Sequence, residues 1–399
     1  MVNRKKLRVV TTFSGIGMQE RGIENTDLYD MELIATSEIN SYAIVSYAAI
    51  HNGLNSQAMK SFSFPEKSEM ISYLKSLNIN YDYKNNQNYN WDGASIERIK
   101  KVYLACILSK NLGDIACVQR FPSCDILTFS FPCTDISRAG KQQGLNNTRS
   151  GLVYQILRIL KNTEDKPRIL LMENVANLVG KAYIANYLEL NKEFENLGYA
   201  CKYAVLDAKD FDTPQSRKRV FAIYALKSVI SLKDFELPLG VETGLRLRDV
   251  LSANVAEKYR SQNANAPQEV IRLKDIVNNT TTFTKATAHQ IGSIQKPATS
   301  MKWKNPSAGR IYDINALSPT IVASTGGNHQ PLIYCSDNAD GYIRRLTPEE
   351  CFKLMGMSEL DCIRCRDMGI SDSQLYNQAG NGLVTNCITG IMKDLYPFV

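Results

Sequence analysis

Histidine is scarce in this chain. Only His51, His289 and His329 occur in 399 residues. None stands beside a motif that suits the base of a Cys–His pair, which excludes a cysteine hydrolase of that kind. No apolar run is long enough to cross a bilayer as a helix. The first residues, Met1 to Leu7, are basic but lead straight into a strand-like segment, so they are not expected to be a secretion signal. The ten cysteines are scattered, and Cys106, Cys117, Cys201, Cys335 and Cys387 lie inside apolar runs. The expectation is a reducing cytosol and buried free thiols. Cys362-Ile-Arg-Cys365 is the only CxxC. Cys351 is near it, but a clear fourth ligand is not, so no metal site is expected. Acidic residues are missing from Val277 to Tyr312, where Lys285, Lys296, Lys302, Lys304 and Arg310 stand among Thr, Asn, Gln and Ser. This stretch and the net charge of +7 favour a surface that meets phosphates.

What is present is an alternation of short apolar runs and amphipathic segments. Leu7 to Phe13 reads as a buried strand followed by a glycine turn. Glu32 to Ser37 reads as a second strand ending at Glu38, and Ser41 to Ile50 as a helix. Arg149 to Lys161 carries Leu152, Val153, Ile156, Leu157 and Leu160 at helical spacing. Tyr199 to Leu206 and Arg219 to Tyr224 read as later strands. The pattern predicts an α/β fold, with a doubly wound, largely parallel sheet. It weakens between about 52 and 102, which reads as an insertion. After Tyr224 the alternation stops, and a smaller, mixed, loop-rich domain is expected.

Three strings carry the chemistry. Phe131-Pro132-Cys133 follows an apolar run, as does Glu173-Asn174-Val175, whereas Gln215-Ser-Arg217-Lys-Arg219 precedes one. A thiol, a carboxylate and two guanidiniums thus sit at expected strand ends, where open α/β sheets bind ligands. Together they suit attack on an electron-poor ring held beside phosphates. In this order the strings resemble the DNA (cytosine-5) methyltransferases. Thr12-Phe-Ser-Gly-Ile-Gly17 is similar to that family's first motif, and Arg345-Leu-Thr-Pro-Glu-Glu350 and Gln378-Ala-Gly-Asn-Gly382 to its last two.

The resemblance implies a Rossmann-like, S-adenosylmethionine-dependent methyltransferase domain over 1–225, a smaller target-recognition domain over 226–343, and a return segment over 344–399 that completes the first. It implies Cys133 as the nucleophile, Glu173 at the ring nitrogen and exocyclic amine of a flipped cytosine, and Arg217 and Arg219 at its carbonyl oxygen and a flanking phosphate. The S-adenosylmethionine site, left with S-adenosylhomocysteine after transfer, would be drawn from Phe13, Gly15, Ile16, Gly17, Glu38, Ile39, Asp114, Ile115, Pro132, Leu152 and Asn381. Within it, Glu38 would take the ribose hydroxyls and Asp114 the adenine amine. Ser137, Arg138 and Gln143, in a glycine-containing loop from Ser137 to Asn147, together with Lys302, Lys304 and Arg345, would meet double-stranded DNA. A monomer in the cytoplasm of a bacterium, or one encoded by a phage, is expected. A restriction endonuclease could act on the same site without a stable complex. Methylation of tRNA by the same chemistry, and an inert DNA-binding paralogue, remain as alternatives.

Overall fold

The computed structural model describes residues 4–83, 85–132, 149–260, 287–293, 309–323, 330–335 and 341–399. They divide into two units. One holds Met1–Leu206, Lys218–Leu239 and Cys387–Val399; the other holds Asp207–Arg217 and Gly240–Asn386.

The first unit is built on a six-stranded sheet. Its strands are β1 (Lys5–Thr12), β2 (Tyr29–Ser37), β3 (Ile126–Phe129), β4 (Ile169–Val175), β5 (Tyr199–Asp207) and β6 (Lys218–Leu226), in the order β2-β1-β3-β4-β6-β5. The first four strands in that order run parallel. β3 is buried along its whole length, as a strand covered on both faces must be. β6 runs antiparallel to β4. Its first residues therefore lie at the edge where β1 to β4 end.

Helix α1 (Met18–Glu24) follows the turn after β1, and α2 (Ser41–His51) follows β2. Asn40 starts α2 by accepting the Tyr42 and Ala43 N–H groups on its side chain, a standard N-cap. Later in the chain come α6 (Val153–Asn162) and α7 (Ile184–Asn196). Val153, Ile156, Leu157 and Leu160 of α6, and Tyr187, Leu190 and Phe194 of α7, share one core with Val10, Leu127, Phe129, Leu170 and Met172 of the sheet. The spacing of these residues leaves one apolar face per helix, and that face is what the sheet buries.

The segment expected to lack periodic structure contains helices. They are α3 (Ser56–Ser61), α4 (Lys67–Ser76) and the start of α5 (Ile96–Leu108). α4 buries only Met70, Ile71 and Leu74, a stripe too short to stand out from its polar neighbours. Of the cysteines expected to be buried, Cys106, Cys335 and Cys387 are buried, Cys201 is half-buried and Cys117 is exposed.

The second unit holds a mixed sheet of β7 (Gln290–Ser293), β8 (Arg310–Tyr312), β9 (Leu332–Cys335) and β10 (Tyr342–Arg345), in the order β10-β9-β8-β7. It also holds α8 (Pro348–Lys353), α9 (Glu359–Asp367) and α10 (Asp372–Asn381). Helix α11 (Thr385–Leu395) begins here and continues into the first unit. The expected return segment, 344–399, is thus divided near 386. Within the second unit a buried polar lock joins β10 to α8. Arg344 pairs with Glu350 through two 2.8 Å contacts, and Glu350 also closes the capping box with Thr347 that starts α8. The Tyr376 hydroxyl donates to the Leu346 carbonyl, holding α10 to the same strand end. Cys362 and Cys365 are buried on α9.

Candidate active site

The parallel strands of the first unit all end at one edge, and among the described residues Phe13 and Glu38 stand just past the ends of β1 and β2, with Glu173 near the end of β4. Glu173 is the fifth residue of β4 and only 6 % exposed. Antiparallel pairing sets Phe221 opposite Glu173 and Arg219 opposite Val175. Glu173 and Arg219 are therefore diagonal neighbours on one face, and Arg219 Nε lies 3.2 Å from Glu173 Oε1. The Ser130 hydroxyl, one residue beyond β3, donates to Glu173 Oε2. One carboxylate is thus clamped by a hydroxyl and a guanidinium, with lone pairs left for a ligand.

Asn174 acts on the main chain instead. Its Nδ2 donates to the Phe131 carbonyl at 3.1 Å, and its Oδ1 accepts the Val175 N–H at 2.8 Å. It ties the end of β4 to the chain that carries Pro132, the residue before Cys133.

The turn after β1 is strained in a defined way. Phe13 has φ +53°, a conformation that bulky residues rarely adopt. Gly17 has φ +82°, and a Cβ there would stand 2.2 Å from His51 Nε2, so glycine is required. Gly15 faces open space. Its N–H donates to Glu38 Oε2 at 3.0 Å, while Glu38 Oε1 accepts the N–H groups of Ile39 and Asn40 at 2.9 Å each. Loss of solvation raises the Glu38 pKa, and these three donors pull it back. Asn111 holds Glu38 by a pair of main-chain bonds. Beyond it, Asp114 is 3 % exposed and Ile115 is buried. Ile16 is buried, and Ile39, Pro132 and Leu152 are half-buried. A side-chain-free Gly15 beside a carboxylate with spare acceptor capacity, and a second carboxylate beyond it, fit an adenosine group.

In the second unit Arg217 is 2 % exposed. Its Nη1 donates to the Ile321 carbonyl at 2.7 Å, and its Nη2 donates to the carbonyls of Gly380 and Gly382. In this structure these donors are spent on main-chain oxygens of the same unit. Gly380 packs so closely on Val322 and Ala323 that a Cβ would stand 2.2 Å from the Ala323 nitrogen. Asn381 is exposed, with Nδ2 3.2 Å from Asn377 Oδ1. Arg345 donates to the Lys258 carbonyl at 3.0 Å and lies over the Tyr259 ring.

The family model for C-5 cytosine-specific DNA methylase matches residues 64–396. The type II methyltransferase M2.ScrFI of Lactococcus lactis subsp. cremoris is 32 % identical over 397 residues, 98 % of this chain and 99 % of the relative. The chain belongs to the C-5 cytosine-specific DNA methylase family. The orphan methyltransferase M.SssI of Spiroplasma monobiae is 31 % identical, covering 98 % of this chain and 97 % of its own. Among solved structures, a methyltransferase of Entamoeba histolytica covers 99 % of both chains with a TM-score of 0.60 at 18 % identity, a likeness of fold. The enzyme is a DNA (cytosine-5) methyltransferase.

Several of the residues expected in the site lie outside the described residues: Cys133, Ser137, Arg138, Gln143, Lys302 and Lys304. Other residues were missed from the sequence. Ser130 carried one available signal, its place between an apolar strand and Phe131-Pro132. Asn111 carried none, because its partner Glu38 is distant in the chain.

Proposed function

We propose that this methylase transfers a methyl group from S-adenosylmethionine to C5 of a cytosine within a specific duplex sequence, with the target base flipped out and Cys133 bonded to C6 during the reaction. The observation that supports this best is the Glu173 clamp, beside the chain that Asn174 holds just before Cys133. The Cys133 thiolate adds to C6, and the electron pair moves toward N3, where Glu173 shares a proton. C5 becomes nucleophilic. S-adenosylmethionine, when bound, supplies the electrophilic methyl group. A water or other base then takes the C5 proton, the freed electron pair re-forms the C5=C6 double bond, and the C6–S bond breaks to release the Cys133 thiolate. Flipping is needed because C6 cannot be approached inside a stacked duplex. Arg219 holds Glu173 in place and offers its remaining donors to the base or its phosphate. Glu38 would hold the ribose hydroxyls, Asp114 the adenine amine and Asn381 the methionine end.

Transfer of tritiated methyl groups to duplex DNA, with none to tRNA, is the expected outcome, and bisulfite sequencing of DNA from expressing cells should show one methylated sequence context. Label in tRNA and none in DNA would remove the proposal.

Glu38→Ala should weaken S-adenosylmethionine binding by about 1–3 kcal/mol, since ribose hydroxyls lose their acceptor. Unchanged calorimetric affinity would place the ribose elsewhere.

Sequence choice is assigned to about 277–328. Exchange of this piece for that of a relative should redirect methylation to another context, whereas methylation of the original context would move recognition elsewhere. Lys302→Ala or Lys304→Ala should weaken all duplexes alike and lower the salt dependence by roughly one charge each.

A further inference from the structure

The segment between α4 and α5 reaches the adenosine end of the site. Asn80 donates its N–H to the Ile39 carbonyl at 2.7 Å and accepts the Ser41 N–H on its side chain at 2.9 Å. The Leu77 carbonyl accepts the Asp114 N–H at 3.0 Å, and a Cβ at Gly113 would stand 2.2 Å from that carbonyl oxygen. This short piece of chain thus touches both the strand end that carries Glu38 and Ile39 and the loop that carries Asp114.

Two of its side chains act on the Asp114 carboxylate itself. The Tyr83 hydroxyl donates to Oδ2 at 2.5 Å, and Asn78 Nδ2 donates to the same oxygen at 3.2 Å. The Ala116 N–H donates to Oδ1 at 3.0 Å. A carboxylate oxygen has two acceptor positions. Oδ2 is therefore filled, and Oδ1 keeps one. The Tyr83 ring is steadied by edge-on contact with Tyr81, with centroids 5.1 Å apart. Asn78 and Asn80 both adopt left-handed backbone, with φ of 53° and 60°, so the turn that presents these groups is formed at some conformational cost.

We infer that Tyr83 and Asn78 are positioning residues for the methyl donor. They saturate one oxygen of Asp114 and leave the other aimed at a single N–H donor, the exocyclic amine of an adenine. The inference deepens the S-adenosylmethionine reading and rests on it. The 52–102 segment thereby makes the nucleotide end of the site selective for an amino-purine.

The test compares S-adenosylhomocysteine with its analogue bearing hydrogen in place of the amine at purine C6, by calorimetry on the full chain. Wild type should bind the amine-bearing compound more tightly. Tyr83→Phe removes the hydroxyl and keeps the ring, and it should weaken S-adenosylhomocysteine about five-fold while leaving the deamino analogue unchanged. Asn78→Ala should behave in the same way, with thermal melting as the check on folding. An equal loss on both compounds, or no loss on either, overturns the positioning role while the donor assignment stands. A wild type that binds neither compound overturns both.

Discussion

Cys133→Ser should abolish methyl transfer, by on the order of 10⁴-fold or more, while duplex binding persists. The serine hydroxyl is a far weaker nucleophile near neutral pH than a thiolate, so C6 is not attacked and C5 stays unreactive. Duplex binding should not depend on this thiol, and a mobility-shift measurement should find it intact. A duplex carrying 5-fluorocytosine at the target should trap the wild type covalently, because fluorine cannot leave C5 as a proton does. Peptide mapping should then place the adduct on Cys133. Its appearance on another cysteine would remove the assigned mechanism. Among the described cysteines, burial pushes the thiols of Cys106, Cys124 and Cys201 up to about 12, which makes them poor competitors.

Glu350→Ala should cost about 3–5 kcal/mol of folding stability, because Arg344 would be left as a buried charge without its partner. Both side chains are almost fully enclosed, at 2 % and 0 % exposure. The same glutamate accepts the Thr347 N–H at 2.8 Å and the Ser252 N–H at 2.9 Å. Denaturant unfolding of the variant measures the loss. The double variant Arg344→Met, Glu350→Leu should recover much of it, since an apolar pair of similar volume avoids the desolvation that the ions incur. A single-variant loss under about 1 kcal/mol would show that the lock is not what holds β10 to α8. The Arg345-Leu-Thr-Pro-Glu-Glu350 string is therefore explained within its own unit as a strand end, a Thr N-cap, a Pro at the first helical position and a buried ion-pair acceptor.

Local pattern made a large share of the fold legible. β1, β2, α2, α6 and β4 stand close to where apolar runs and helical spacing predict them, because each is short, periodic and buried against one core. The weaker stripe of α4 is not legible in this way, since three buried residues among polar ones do not make a period.

Arg217 and Arg219 show the limit of such reading. They stand two residues apart in one motif, and sequence spacing alone gives them one role. Tertiary structure separates them. Arg219 enters β6, whose antiparallel course carries it to Glu173, while Arg217 lies in the other unit and donates to carbonyls at Gly380 and Gly382. Tyr83 and Asp114 make the converse case, since a 31-residue separation gives no local signal of their contact.

The sequence by itself determined the family motifs, the glycine turn and the parallel strands β1 to β4, because motif spacing and hydrophobic period are properties of neighbouring residues. Only the tertiary structure decided which groups meet: strand direction, the closing of long loops and the burial of polar partners depend on residues far apart in the chain, and local pattern carries no record of them.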